Sequence, residues 1–334
     1  MRNSVRVASV PALACVVGSA VAGGVPGAFS LYGVQSGIGT NGAGAAVTTD
    51  ALVAVDTSTG DGVILGPLVA GDGAEYAFVT CLAYSPVARV FFAIDDFRKE
   101  LLRVDPADGG VLNAVPIVPT GVPGLNGASV IVASLSQDPA TGLLVGVENV
   151  SDQMVTINPV TGEMVSVTGV PGSLRLAGQS NIIATSASVV GGDLVYFDTL
   201  SDELYRVAID QDAGSPVPLG ADFSVYAPPV TVAGLAEHPG SGVLFGAETG
   251  GINELFSFEF GGAPFTIRSE QDSGAGSDLS IIGLAFAPAP GCNPADLSPP
   301  FGVLDLGDIG VFVDGFTMQG SAADLDGNGI FDLD

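Results

Sequence analysis

The residues best spaced for chemistry stand at the C-terminal end, in Ala323-Asp324-Leu325-Asp326-Gly327-Asn328-Gly329-Ile330-Phe331-Asp332-Leu333-Asp334. Oxygen-bearing side chains alternate at Asp324, Asp326 and Asn328. Gly329 allows a sharp turn, and Ile330 offers a carbonyl ahead of Asp332. Oxygens wrapped in this way suit a hard cation such as Ca²⁺, and these five residues fall at positions 1, 3, 5, 7 and 9 of a calcium-type loop. Position 12, whose carboxylate normally supplies two ligand oxygens, would come after Asp334. The spacing therefore predicts weak calcium binding or none. A poorer set lies upstream: Asp296, Ser298, Asp305 and Asp308 carry oxygens, but Pro299, Pro300 and Phe301 interrupt them.

A second set of acids recurs in the body of the chain. Asp95, Glu148, Asp198 and Glu248 each end an apolar run, and Gln35 takes the same place in a fifth run. Carboxylates set in a ring can hold a divalent cation or the hydroxyls of a sugar. The competing reading is that strand ends need polar residues, with Asp95-Asp96 and Arg98-Lys99 forming a solvated hairpin. Other chemistry is poorly supplied. One histidine, His238, builds neither a multi-histidine metal site nor a Ser/His/Asp set, and Cys81 reads as a small buried hydrophobe. The glycines are turn residues and form no phosphate-binding loop. Without Trp, a stacking platform for sugars has little support.

The elements that carry these acids repeat. One unit opens Cys81-Leu82-Ala83-Tyr84-Ser85-Pro86, the next Ser134-Leu135-Ser136-Gln137-Asp138-Pro139, another Gly234-Leu235-Ala236-Glu237-His238-Pro239, and a last Gly283-Leu284-Ala285-Phe286-Ala287-Pro288. From Pro86 to Asp105, Pro139 to Asn158 and Pro239 to Phe258 the distance is the same 19 residues. A fixed spacing means fixed strand lengths and hairpins. The Asp-Pro-x-x-Gly ends are turn chemistry, with Pro setting φ and Gly taking φ > 0. The copy ending at Asp210 has lost the proline and shifts its hairpin by about two residues.

Four strands per unit of about 50 residues point to an all-β propeller. The last copy, Ile281–Pro288, supplies only a first strand. Ser30–Val34, Ala51–Asp56 and Val63–Leu65 at the other end supply a second, third and fourth. The expectation is five blades, the closing one shared between the chain ends so that no edge is left open. Six or seven blades would need degenerate copies within Pro116–Val132 or Val217–Val232.

Composition bounds the rest. A formal charge of −27, from 36 acidic and 9 basic side chains, disfavours nucleic acid as a partner. Arg2 and Arg6, an apolar stretch Val7–Ala22 and the small residues Ala20 and Ala22 predict an export signal over 1–22, cleaved before Gly23. Cys15 after Ala12-Leu13-Ala14 is only a weak lipid-attachment motif. The three expected segments are thus a signal over 1–22, a propeller over 23–290 and a small module over 291–334. After cleavage no membrane span is expected, and the protein belongs outside the cell or at its surface, or in the periplasm.

The Gly291-Cys292 opening and the run Pro299-Pro300-Phe301-Gly302-Val303-Leu304-Asp305-Leu306 resemble the GC-type dockerin-like domain at the C-termini of many exported planctomycete proteins. The resemblance covers residues 291–334. It implies EF-hand-type calcium loops, each followed by a helix, and docking to a protein partner. Ile309, Phe312, Val313 and Phe316 fit one face of such a helix over 306–318. Related modules commonly end near a cysteine able to pair with one such as Cys292, and no cysteine follows it here. The repeat body is similar in architecture to bacterial propellers with YVTN-like or quinoprotein-like units, a likeness that carries over no catalytic residues. The expected function is a non-enzymatic binding or structural protein, tethered through its C-terminal module, with carbohydrate among the ligands considered. The alternative is a divalent-cation-dependent hydrolase or lactonase-like propeller whose acid ring holds the metal.

Overall fold

Each repeat folds into an antiparallel sheet of four strands, and five such sheets stand around one axis. A computed structural model describes residues 29–288, apart from 37–38, 41–45, 48, 58–59, 126–129, 210–214, 223–230, 240, 250–253, 260–265 and 271–279, together with Val313. The export segment 1–22 and the calcium-type residues Asp296, Ser298, Asp305, Asp308, Asp324, Asp326, Asn328, Ile330 and Asp332 lie outside the described residues.

From the axis outward, blade 1 is Val79–Ser85, Val90–Asp95, Glu100–Val104 and Val111–Pro116. Blade 2 is Val132–Gln137, Leu144–Glu148, Gln153–Ile157 and Glu163–Ser166, with Val118–Gly121 added in parallel at its edge. Blade 3 is Ala184–Val190, Asp193–Asp198, Glu203–Ala208 and Val217–Asp222. Blade 4 is Thr231–Glu237, Val243–Thr249, Glu254–Glu259 and Thr266–Glu270. Blade 5 is Ile281–Pro288, Phe29–Gln35, Ala51–Val55 and Gly62–Pro67, so the two ends of the described body meet in one sheet as the repeat requires. The described residues of Pro116–Val132 and Val217–Val232 form no further blade: the first stretch contributes the added edge strand, the second the outer strand of blade 3. In that blade a Gly191-Gly192 turn with both φ values positive replaces the longer proline turn, which accounts for the shifted hairpin.

The innermost strands carry the architecture. Each packs against its neighbour around the ring, and the last against the first. Their pairing with the second strands slips at one equivalent place in every blade, between Val79 and Leu82, Val132 and Ser134, Ala184 and Ser186, and Val232 and Gly234, and at Gly283 in blade 5. A bulge adds twist, and five of them turn the strands away from the crowded axis. Beyond the bulge the cross-strand pairs balance size. Leu82 faces Ala93, Leu135 faces Gly146, Leu235 faces Gly246 and Leu284 faces Gly33. In blade 3 the order is reversed, with Ala187 opposite Tyr196. Interiors packed to crystal density demand such compensation.

Hydroxyls tie neighbouring blades. Thr80 Oγ1 donates to the Val132 carbonyl (3.0 Å) and Thr185 Oγ1 to that of Val232 (2.6 Å). Further along, Ser136 Oγ accepts from the Val189 amide and Ser188 Oγ from that of Glu237.

The glycine side of these pairs leaves no room. A Cβ at Gly146 would stand 2.3 Å from the Ser134 carbonyl oxygen, which is backbone and part of the axial ring. Gly71, in a surface turn, has nothing within 4 Å. Gly146→Ala should therefore lose about 1–3 kcal/mol by overpacking, while Gly71→Ala should stay within about 0.5 kcal/mol. Denaturant unfolding of the two variants checks this, and equal losses would contradict the packing account.

Candidate functional site

The four acids and Gln35 stand on one face of the propeller, where each second strand ends and each innermost strand begins. All five side chains are buried. Asp95 Oδ1 accepts from the Phe97 and Arg98 amides at 2.9 and 2.8 Å. Glu148 Oε1 accepts from the amides of Ile131 and Val150, and its Oε2 from the Ser151 amide (2.8 Å) and hydroxyl. Asp198 Oδ1 accepts from the amides of Ile183 (2.9 Å) and Leu200 (3.2 Å), and Oδ2 from Ser201 Oγ. In these three blades the carboxylate fastens the hairpin after it. In blades 2 and 3 it also fastens the residue leading into the innermost strand. Among the described residues, no three His, Cys, Asp or Glu side chains stand close enough to share a metal ion.

The hairpins have one design. Four residues after the acid, Lys99, Asp152 and Asp202 hold φ between 52° and 57°, a left-handed conformation that non-glycine residues seldom take. The acid holds the rest of the turn. Asp95 and Asp96 thus play different parts: Asp95 is buried, and Asp96 pairs with Lys99 Nζ at 2.8 Å. Asn149, next to Glu148, reaches across to blade 3, where its side chain exchanges two hydrogen bonds with the Ala184 backbone.

On the same face an open cleft of about 1110 Å³ lies between blades 5 and 1. Its walls are the loop around Gly73–Thr80, the hairpin Asp96–Arg98, and Ser36, Asp50 and Ile282. Asp50 is buried and its Oδ2 accepts from the Val79 amide at 2.7 Å, which fixes the loop to the first innermost strand. Arg98 crosses the loop: Nη2 donates to the Glu75 carbonyl at 2.8 Å and the guanidinium lies 4.6 Å from the Tyr76 ring centroid. Phe78 and Phe97 meet at the lip with ring centroids 5.4 Å apart. Both are well exposed, at 59% and 75%.

The axis itself is nearly filled. Cys81, Ser134, Ser186, Gly234 and Gly283 form one ring and Leu82, Leu135, Ala187, Leu235 and Leu284 the next, leaving about 10 Å³. That is space for at most one water molecule, so the two faces do not communicate along the axis. Burial pushes the Cys81 thiol up to about 12, which keeps it protonated and unreactive. His238 stands at the opposite end of its innermost strand from Val232, the residue that pairs with Glu248. It is edge-on to Phe286 (4.9 Å) and does not join the acids.

The cleft and its aromatic lip were not singled out by sequence reasoning, because the loop that brings Phe78 to Phe97 lies outside the repeat. The pattern acid-x-apolar, seen in Asp95-Asp96-Phe97, Glu148-Asn149-Val150 and Asp198-Thr199-Leu200, was the available signal.

No described protein family matches this sequence, and no curated protein does. Among solved structures, the chain is similar in fold to a nidogen/laminin complex (TM-score 0.47, 9% identity, covering 78% of this chain and 99% of that one). It is also similar to a gluconolactonase from Xanthomonas campestris (TM-score 0.42, 15% identity, 78% and 86% covered). A third is virginiamycin B lyase from Staphylococcus aureus (TM-score 0.40, 12% identity, 72% and 73% covered).

The single histidine reports on its end of the propeller. Burial lowers the His238 pKa from its ordinary 6.5. The unfolded chain then takes up the proton first, so stability is lost as pH falls through 6.5 toward the folded value. An NMR titration of the one imidazole should show a midpoint below 6.5, and a midpoint at or above it would contradict the burial described.

Proposed function

We propose that this is an exported, non-enzymatic binding protein whose propeller is the binding module and whose C-terminal module tethers it to a surface or matrix assembly. The carrying observation is the use made of the acids. In blades 1 to 3 the carboxylates that a metal-ring reading would use accept hydrogen bonds from hairpin groups, while the same face offers an open cleft with exposed aromatic rings. A catalytic carboxylate needs an oxygen turned toward its substrate. A binding face needs a rigid, partly apolar concavity with a few polar groups. The cleft fits the second requirement. The N-terminal signal pattern supports export. The Asp324–Asp332 pattern supports a calcium-type tether.

Purified full-length chain should turn over neither lactones nor polysaccharides, with Ca²⁺ or Mn²⁺ present or with both removed by chelator. Calcium titration should show uptake that is lost in a chain ending at Pro290. Cation-dependent turnover would overturn the binding reading in favour of the hydrolase. Calcium uptake unchanged in the chain ending at Pro290 would overturn the calcium-type reading of the tail.

A further inference from the structure

The clamped hairpins share a feature that their fold does not need. Two residues after each acid stand Phe97, Val150 and Leu200, and the residue ahead of each innermost strand is Phe78, Ile131 or Ile183. All six are exposed. Each pair is joined through the backbone. The Asp96, Asn149 and Thr199 amides donate to the Phe78, Ile131 and Ile183 carbonyls at 2.9–3.0 Å. In blades 2 and 3 both members of the pair also donate their own amides to one buried carboxylate oxygen. The equivalent leading residues of blades 4 and 5 are Thr231 and Ser280. The apolar pairs therefore occupy three consecutive blades and run from the cleft at blade 1 to blade 3. Single exposed apolar residues are ordinary, but a repeated, backbone-fixed series on one face marks an interaction surface.

We propose that this arc docks an apolar segment of a partner protein flanked by basic residues. The proposal rests on the binding-module reading and gives it a surface and a partner chemistry. Charge selects the occupant. A second copy of this chain, a nucleic acid or an anionic membrane would bring more negative charge to a chain of −27. Among the described residues, the cations of the face have partners: Lys99 pairs with Asp96, Arg175 with Asp152, and Arg98 with the Glu75 carbonyl and the Tyr76 ring. Asp72 and Glu75 are exposed in the loop that leads to Phe78. Apolar anchors would sit on the fixed pairs with little ordering cost, and lysine or arginine flanks would meet the acidic surroundings.

The test uses full-length protein and three labelled 14-residue peptides: Leu and Phe anchors with Lys/Arg flanks, the same anchors with Asp/Glu flanks, and the basic flanks with Ser in place of the anchors. The triple variant Phe97→Ser, Val150→Ser, Leu200→Ser changes only exposed tips, and its unfolding transition checks that it folds. Fluorescence anisotropy should show binding of the first peptide alone, weakened about tenfold or more in the triple variant and weakened by added salt. Equal binding by the variant, or equal binding of the anchorless peptide, would overturn the arc. So would a concentration-dependent dimer of the native chain that the variant loses, since the occupant would then be a second copy. Lactone or polysaccharide turnover retained by the variant would count against the binding-module reading and leave the arc to be judged on the peptides alone.

Discussion

A buried carboxylate closing the hairpin behind it is the interaction on which the working face depends. Taking such a group out of water costs several kcal/mol. It is offset only where donors surround it, and charge-assisted hydrogen bonds contribute about 1.5–3 kcal/mol each. Glu148 has four donors from three residues, two of which belong to the hairpin itself. The turn, the left-handed residue at its end and the lead into the innermost strand are thereby held together. The same clamp explains how apolar side chains stay fixed in solvent: their backbones are held, although their side chains have little to pack against.

The axis imposes the second constraint. Five strands converging on about 10 Å³ leave room only for small side chains in the narrowest ring, which is Cys81, Ser134, Ser186, Gly234 and Gly283. Bulk removed there is returned one step out, where leucine faces glycine or alanine, or alanine faces tyrosine. With the axis closed, a ligand must be met on a face. The acid-bearing face has the cleft and the clamped pairs, while His238 lies at the opposite end of its strand from the acids.

Much of the fold was legible in the sequence because turn chemistry and spacing are local. The 19-residue intervals, the Asp-Pro-x-x-Gly turns and the lone final strand led to five blades and a shared closing sheet. The acids were located at the right strand ends, but their role was not visible. Whether a carboxylate turns toward the axis or back into its own hairpin depends on where Ile131 or Ile183 returns in space, and these lie 17 and 15 residues away in sequence. The cleft was hidden for a similar reason. Part of its wall, Gly73–Phe78, belongs to no repeat, and Asp50 is drawn to Val79 across 29 residues. The size exchange at Tyr196 and Ala187 could have been read only after the register was known.

The clamp can be tested most directly by comparing Glu148→Gln with Asp198→Asn in chelator. An amide at 148 must turn its NH₂ toward a donor, because both oxygens accept from backbone amides, so Glu148→Gln should lose about 2–3 kcal/mol. At 198 the amide oxygen can keep both backbone donors while the NH₂ donates to Ser201 Oγ, so Asp198→Asn should lose less than about 1 kcal/mol. Denaturant unfolding gives both values. Two variants as stable as the native chain, or a reversed order of losses, would show that the carboxylates do not hold the hairpins.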